Sequence, residues 1–190
     1  MNDTKFFSSN KYLFLPTRSN PKVALVIDSK RLVKNSFKLY NPFSAKAKLL
    51  KSVFYWCFVK VNRVFKQIGI TKKYHKGSFI KHLEDTLNCK LASSVYFATA
   101  KDKVVLQLQA DQNIIGYVKC PINLIGQKHL ETEIKAIEIL SKNNIVDPAL
   151  LKGTFNDMPY LMLKELEGEI KTVPDSELIH ILERFKKQSS

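Results

Sequence analysis

The sequence predicts an α+β protein: a five-stranded antiparallel sheet with a packed helix, preceded by a basic, helix-rich N-terminal region. Three observations favour this class. Hydrophobic residues make up 45% of the 190 residues and charged residues 25%, which is typical of a globular domain. Short apolar runs alternate with turn residues in the second half of the chain, and one amphipathic stretch interrupts them. The positive charge is concentrated in the first half.

The charge distribution predicts two units. Residues 1–90 contain 19 Lys and Arg against 4 Asp and Glu, whereas residues 91–190 contain 12 against 13. We therefore divide the chain into a basic region, residues 1–90, and a second domain, residues 91–190. A basic region of this kind is suited to phosphates, acidic polymers or an anionic membrane, and a merely solvated basic face is an equal alternative.

Two strands and two helices are predicted in the basic region. The strands are residues 12–15 and 23–27, and the helices are about residues 44–67 and 78–87. The first helix combines lysines with large aromatic side chains around Trp56. This composition is typical of a packed helix with lysine stems along its surface, and equally of a helix that lies on anionic lipid. An anionic membrane surface is therefore one candidate partner of residues 44–76.

Cysteine and histidine spacing predicts neither a disulfide framework nor a metal site. Cys57, Cys89 and Cys120 are odd in number and form no Cys-x-x-Cys pair, and the four histidines are scattered. The most apolar run, residues 53–59, is far shorter than the roughly 20 residues of a membrane-spanning helix. We expect a cytoplasmic protein, peripheral to the inner membrane face if the basic region docks there.

The second half predicts three strands, a helix, two strands and a final helix. The predicted strands are residues 94–98, 104–108, 114–120, 150–155 and 160–165, and the predicted helices are residues 130–142 and 177–186. Turn residues separate the first three strands, so these strands form an antiparallel meander.

This order resembles the N-terminal lobe of protein-kinase-like folds, in their aminoglycoside and choline phosphotransferase branch. Three runs carry the resemblance: Gly-Tyr-Val-Lys at 116–119, Glu-Thr-Glu-Ile-Lys-Ala-Ile at 131–137, and the apolar strand that passes into an acidic, glycine-containing run at 160–169. The resemblance covers about residues 91–187. More loosely, the chain is similar to phosphotransferase-like proteins of bacterial surface-polysaccharide gene clusters.

The resemblance implies a set of ATP-binding residues. Lys119 would contact the nucleotide phosphates, and Glu133 would hold that lysine in place. Glu131 is the competing partner, but the apolar stripe of the helix places Glu133 beside the core. The backbone near three further residues would meet adenine: Glu165, Leu166 and Glu167. Taken singly, each of these side chains is also typical of a solvated surface.

The sequence departs from the family pattern in two places, and both departures limit the activity that we expect. The first hairpin of the second half contains no glycine, which a close approach to phosphate normally requires. The 22 residues after Gly168 contain no His-Arg-Asp, His-Gly-Asp or Asp-Phe-Gly run. We therefore predict a truncated or split phosphotransferase with only the nucleotide-binding lobe, without catalytic residues, and not competent by itself. Its ATP binding would be weak or vestigial, and Mg²⁺ would need the missing lobe.

The partners implied are a companion catalytic lobe or a second copy of the chain. The alternative function is a non-catalytic binding module whose basic half docks on an anionic membrane or polymer. Nucleic acid is disfavoured as a partner, because the sequence contains no recognisable helix-turn-helix, zinc-finger or RNA-binding motif.

Overall fold

One antiparallel sheet of eight strands forms the framework of the protein. The structure is a computed structural model that describes residues 3–42, 44–60 and 71–165. Its strands are β1 (Lys11–Pro16), β2 (Pro21–Val26), β3 (Thr71–Lys73), β4 (Ala92–Ala98), β5 (Lys103–Ala110), β6 (Asn113–Pro121), β7 (Leu151–Phe155) and β8 (Met158–Leu163). Its α-helices are α1 (Lys30–Ser36), α2 (Ala45–Lys60), α3 (Ser78–Leu87) and α4 (Leu124–Lys142).

The prediction of a five-stranded sheet is wrong, although the α+β class is kept. The strand order is β3-β1-β2-β4-β5-β6-β8-β7. Strands β4 to β8 are the five that were predicted, but β2 pairs with β4 through Val23–Tyr96 and Ala24–Val95. The basic region therefore extends the same sheet by three strands. Apolar runs indicate that a strand is buried but do not indicate which strand it pairs with. The division at residue 90 stays a prediction, and the sheet crosses it.

The larger hydrophobic core lies on one face of the sheet, beneath α3. Residues that are directly opposite on neighbouring strands share a face, so Val95, Leu106 and Val118 form one continuous apolar row. Phe79 and Leu83 of α3 pack into the same cluster. Burial of the apolar side chains on this face stabilises the sheet. The opposite face is therefore available for polar and charged side chains.

Within the part of the chain that the structure describes, three helices cover the second face and leave a gap between them. Helices α1 and α2 form a separate apolar cluster with β1 and β2, and Val33, Phe37 and Phe58 lie at its centre. Helix α4 packs on β6 and β8 at the other side of this face. Strands β4, β5 and β6 are left partly uncovered between the two sides, and the candidate site lies there.

Buried polar groups fasten α1 to the middle of the sheet. The Ser36 hydroxyl accepts hydrogen bonds from Gln109 at 3.2 Å and from the Ser94 hydroxyl at 2.8 Å. Gln107 donates to the main-chain oxygen of Asn35 at 3.0 Å. Because unpaired buried polar groups are costly, these bonds fix the position of α1 over β4 and β5.

Most predicted elements of the described residues are confirmed, with differences at their ends. The predicted helix at 78–87 is α3. Helix α2 begins at Ala45 as expected, but the predicted extension to residue 67 lies outside the described residues. Helix α4 begins at Leu124, well before the predicted residue 130, because the Asn123 side chain caps it by accepting from the Gly126 N–H at 2.8 Å.

The predictions omitted α1 and β3, and the predicted helix at 177–186 lies outside the described residues. Within the ranges that the structure describes, no helix combines the length and the apolar content needed to cross a bilayer.

Tyr12 ties the N-terminal segment to β4. Its hydroxyl oxygen accepts from the Ser8 N–H at 2.8 Å and lies 2.7 Å from the Ser8 hydroxyl and 3.2 Å from the Ser93 hydroxyl. Ser93 in turn donates to the main-chain oxygen of Phe6 at 2.9 Å. Full burial raises the pKa of Tyr12 to about 12. The phenol therefore stays protonated in the folded protein well above pH 10.

We expect Tyr12→Phe to lower the free energy of unfolding at pH 7 by about 1–2 kcal/mol, because buried polar groups of Ser8 and Ser93 lose a partner. The deficit should shrink as the pH rises from about 10 to 12. The unfolded tyrosine ionises near pH 10 and the folded one only near 12, so the wild-type protein alone loses this stabilisation in that range. Urea unfolding at several pH values measures both effects. Tyr55→Phe, at a ring that packs edge-on against Phe37, is the control. A deficit that stays constant with pH would contradict the assignment.

Candidate functional site

A row of cross-strand neighbours on the second face forms the floor of the candidate site. Tyr96 of β4 is opposite Val105 of β5, which is opposite Lys119 of β6, which is opposite Leu161 of β8. All four side chains therefore point to the same face. Leu161 is fully buried, whereas the other three are only partly covered. The sheet thus presents an apolar surface that ends in an ammonium group.

A cavity of about 620 Å³ lies over this floor. Tyr117 and Leu163 extend its floor, and most of its lining is apolar. Its walls come from the chain just after α1, from α4 and from the loop between α4 and β7: Lys38, Leu39, Ile137 and residues 146–148. A volume of this size lies within the range of small-molecule sites. Lys38 and Glu165 form an ion pair at 3.3 Å between two of its walls.

Glu133 of α4 lies between two lysines at one end of the cavity. Its carboxylate forms an ion pair with Lys119, and its second oxygen lies 3.6 Å from the Lys103 ammonium. The predicted Lys119–Glu133 pair is therefore present. Glu131 instead accepts a hydrogen bond from Gln127 on the same helix, at 2.9 Å. One carboxylate between two ammonium groups leaves a net positive charge at this end.

A second, basic cavity of about 350 Å³ adjoins the first. The two cavities share Tyr96 and Val105. Lys22 at the start of β2 lines the second cavity, together with Lys101 and Lys103 near the start of β5. The site therefore has an apolar part and a cationic part side by side, an arrangement suited to a ligand with a flat apolar group joined to an anionic one.

The connection between β4 and β5 is fixed to the start of α4. The main-chain oxygen of Asp102 accepts from the Ile122 N–H at 3.0 Å, and its carboxylate accepts from the Asn123 amide at 2.7 Å. Gly126 lies so close that a Cβ atom there would collide with the Asp102 oxygen. This connection contains no glycine, but its attachment to α4 holds Lys101 and Lys103 on the same side as Glu133.

Tyr117 supplies a neutral hydroxyl to the apolar cavity. Partial burial raises the pKa of its phenol, and the Glu165 carboxylate raises it further, while a hydrogen bond from Gln107 at 3.2 Å opposes these effects. The phenol is therefore protonated at neutral pH and can hydrogen-bond to a polar edge of a bound ring.

Cys89 and Cys120 are not activated as nucleophiles. Burial raises the pKa of Cys120, which is fully buried, and desolvation is also the main reason that the pKa of Cys89 is raised. Both are therefore neutral thiols near pH 7. Within residues 3–42, 44–60 and 71–165, no three His, Cys, Asp or Glu side chains come together in a way that could hold a metal ion.

Not all of the predicted site residues can be placed. Glu165 lies at the cavity beside Lys38, whereas Leu166 and Glu167 lie outside the described residues. Sequence reasoning missed Lys22, Lys38 and Lys103, because isolated lysines at turns and strand ends carry no pattern. The strand register β4–β5–β6 is what brings Lys103 and Lys119 to the same helix.

Gly126→Ala tests the attachment of the β4–β5 connection. Helix propensity alone would make alanine more stable by about 1 kcal/mol. The collision with Asp102 should reverse the sign and destabilise the protein by about 1–3 kcal/mol. Denaturant unfolding measures the difference, with Lys128→Ala at an exposed position of the same helix as the control. If Gly126→Ala stabilises the protein, the β4–β5 connection can move away from α4, which would contradict its fixed attachment.

The chain was compared with family models, curated proteins and solved structures. No family model matches it, and neither a curated protein nor a solved structure does. The resemblance to a kinase-like lobe therefore stays a prediction.

Proposed function

We propose that this chain carries the nucleotide-binding lobe of a kinase-like phosphotransferase. The base of an adenine nucleotide occupies the apolar cavity, and its phosphates lie toward Lys119 and Lys103. The observation that carries the proposal is the Lys119–Glu133 ion pair, which joins β6 to α4 at the cationic end of the apolar cavity.

The chemistry of phosphoryl transfer favours this reading of the pair. A phosphotransferase of the protein-kinase type uses a strand lysine on the nucleotide phosphates and a helix glutamate that holds the lysine in place. The pair is partly exposed, with 22% of the Lys119 side chain and 29% of the Glu133 side chain accessible. Ion pairs of this exposure contribute about 1 kcal/mol or less to stability. Stability alone therefore gives little reason for the arrangement, whereas positioning a cation gives a clear one.

The surrounding topology supports the same proposal. Strands β4, β5 and β6 form a meander, α4 follows, and β7 and β8 return so that β8 lies beside β6. Because α4 follows β6 directly, its third turn, which carries Glu133, reaches Lys119. The chain beyond β8 then continues past Glu165, which lines the apolar cavity. A base in that cavity would lie close to main-chain groups at the end of β8, where an adenine edge can be hydrogen-bonded.

Calorimetric titration of the chain with ATP tests the proposal. We expect weak binding to the wild-type chain and a loss of at least about tenfold in affinity for Lys119→Ala, since a charge-assisted bond to phosphate is removed. Lys152→Ala is the matched control, because Lys152 forms an ion pair with Glu138 of the same helix and lies outside both cavities. If Lys119→Ala and the wild-type chain bind ATP with equal affinity, Lys119 is not part of the site.

A second pair of titrations separates the base from the phosphates. Ile137 lines the apolar cavity and not the basic one, so Ile137→Phe should weaken ATP binding while leaving tripolyphosphate binding unchanged. Lys119→Ala should weaken both. Binding of tripolyphosphate with the same affinity as ATP, and no effect of Ile137→Phe, would identify a phosphate site without a base pocket and would contradict the nucleotide assignment.

A further inference from the structure

Helix α2 is apolar on two opposite faces, and the described residues cover only one of them. Cys57, Phe58 and Val59 are buried in the cluster with α1. The opposite face carries Leu49, Val53 and Trp56, which follow the i, i+4, i+7 spacing of a single helical stripe. Their exposed fractions are 68%, 50% and 58%. A stripe of this kind needs a second apolar partner.

The charge around the stripe indicates what that partner is. No acidic residue occurs between Asp28 and Glu84, whereas fourteen Lys and Arg do. Lys46 and Lys48 lie in the first turn of α2 and are exposed. None of the ion pairs among the described residues involves them. An acidic protein partner would neutralise these lysines. An anionic membrane would neutralise the lysines at its headgroups and also bury the apolar stripe in its interior.

We propose that α2 docks the protein on anionic lipid, with Leu49, Val53 and Trp56 inserted at the level of the acyl chains and the flanking lysines at the headgroups. Tryptophan is favoured at this boundary because its ring is apolar and its N–H remains hydrated. The helix lies on the membrane rather than across it, since its other face is packed against α1. This inference is independent of nucleotide binding, because none of these side chains lines either cavity of the candidate site.

The sequence provides its own probe, because Trp56 is the single tryptophan. The full chain is mixed with phosphatidylcholine vesicles and with vesicles that also contain phosphatidylglycerol. We expect the Trp56 emission to shift to shorter wavelength, and brominated acyl chains to quench it, with the anionic vesicles only. Raising the salt concentration should weaken the binding, since exposed charges are screened within about 10 Å at 0.1 M.

Two double variants test the two components of the surface, each against a control on α4. Leu49→Ser with Val53→Ser should lower the affinity for vesicles by at least about tenfold, because less apolar area is buried in the lipid. Its control is Leu124→Ser with Ile139→Ser, which removes two similarly exposed apolar side chains from α4 and should have little effect.

Lys46→Glu with Lys48→Glu should lower the affinity for anionic vesicles by a similar factor. Its control is Lys128→Glu with Lys135→Glu, which changes the net charge equally at exposed positions of α4 and should have little effect. All sites are exposed, so each variant should unfold at the wild-type temperature.

Four outcomes would overturn the proposal. Equal binding to neutral and anionic vesicles would show that the lysines do not contact anionic headgroups. Equal losses in the α4 controls would show that α2 is not the docking surface. A concentration-dependent dimer that Leu49→Ser with Val53→Ser dissolves, with Trp56 emission already blue-shifted without vesicles, would make the stripe an interface between copies. Salt-sensitive binding to heparin or RNA without any quenching by brominated lipid would assign the lysines to a polymer.

Discussion

The pairing of β2 with β4 is the constraint on which the rest of the structure depends. Through it the second face of the sheet is continuous, so residues that precede β4 in the chain reach the candidate site. Lys38 and Leu39, just after α1, form one wall of the apolar cavity, and Lys22 lines the basic one. Without this pairing, the cavities would lose a wall and a cation. The basic region is therefore part of the site as well as of the sheet.

Within the site, the position of one carboxylate separates the apolar part from the cationic part. Glu133 draws Lys119 toward α4 and also lies near Lys103, so both ammonium groups are held at the edge of the apolar floor rather than over it. Val105 and Tyr96 thus remain accessible from both cavities. Local charge remains positive because Lys22 and Lys101 add to it. The arrangement places a cationic end next to an apolar end without burying an uncompensated charge, which would be costly.

Local patterns in the sequence predict the elements of this fold well and their assembly poorly. Strands β4 to β8 and helix α3 follow from apolar alternation, turn residues and helical spacing, which are local signals. The pairing of β2 with β4 joins residues about 70 positions apart, and no local signal specifies it. Helix α1 has only seven residues, and its one clear signal is the Ser29 cap, which accepts from the Leu32 N–H.

The residues of the candidate site show the same difference between local and long-range signals. Lys119 and Glu133 are fourteen residues apart on adjacent elements, and the resemblance to a kinase-like lobe, rather than their spacing, predicts that they pair. Lys103 and Lys22 reach the same place only through the register of β5 against β6 and the attachment of β2 to β4. A lysine at a strand end looks the same in the sequence whether it faces solvent or a cavity. Only the assembled sheet distinguishes the two.

Helix α1 is the structural link between the two proposed surfaces. Phe37, which follows α1 directly, packs edge-on against Tyr55 of α2 with ring centroids 5.5 Å apart, while Ser36 is hydrogen-bonded to side chains of β4 and β5. Lys38 and Leu39 follow directly and form a wall of the apolar cavity. Regulation between the surfaces would require two arrangements of this link with different affinities. The buried hydrogen bonds of Ser36 instead hold one arrangement, so the proposed docking of α2 would also set the position of the proposed nucleotide cavity relative to the membrane.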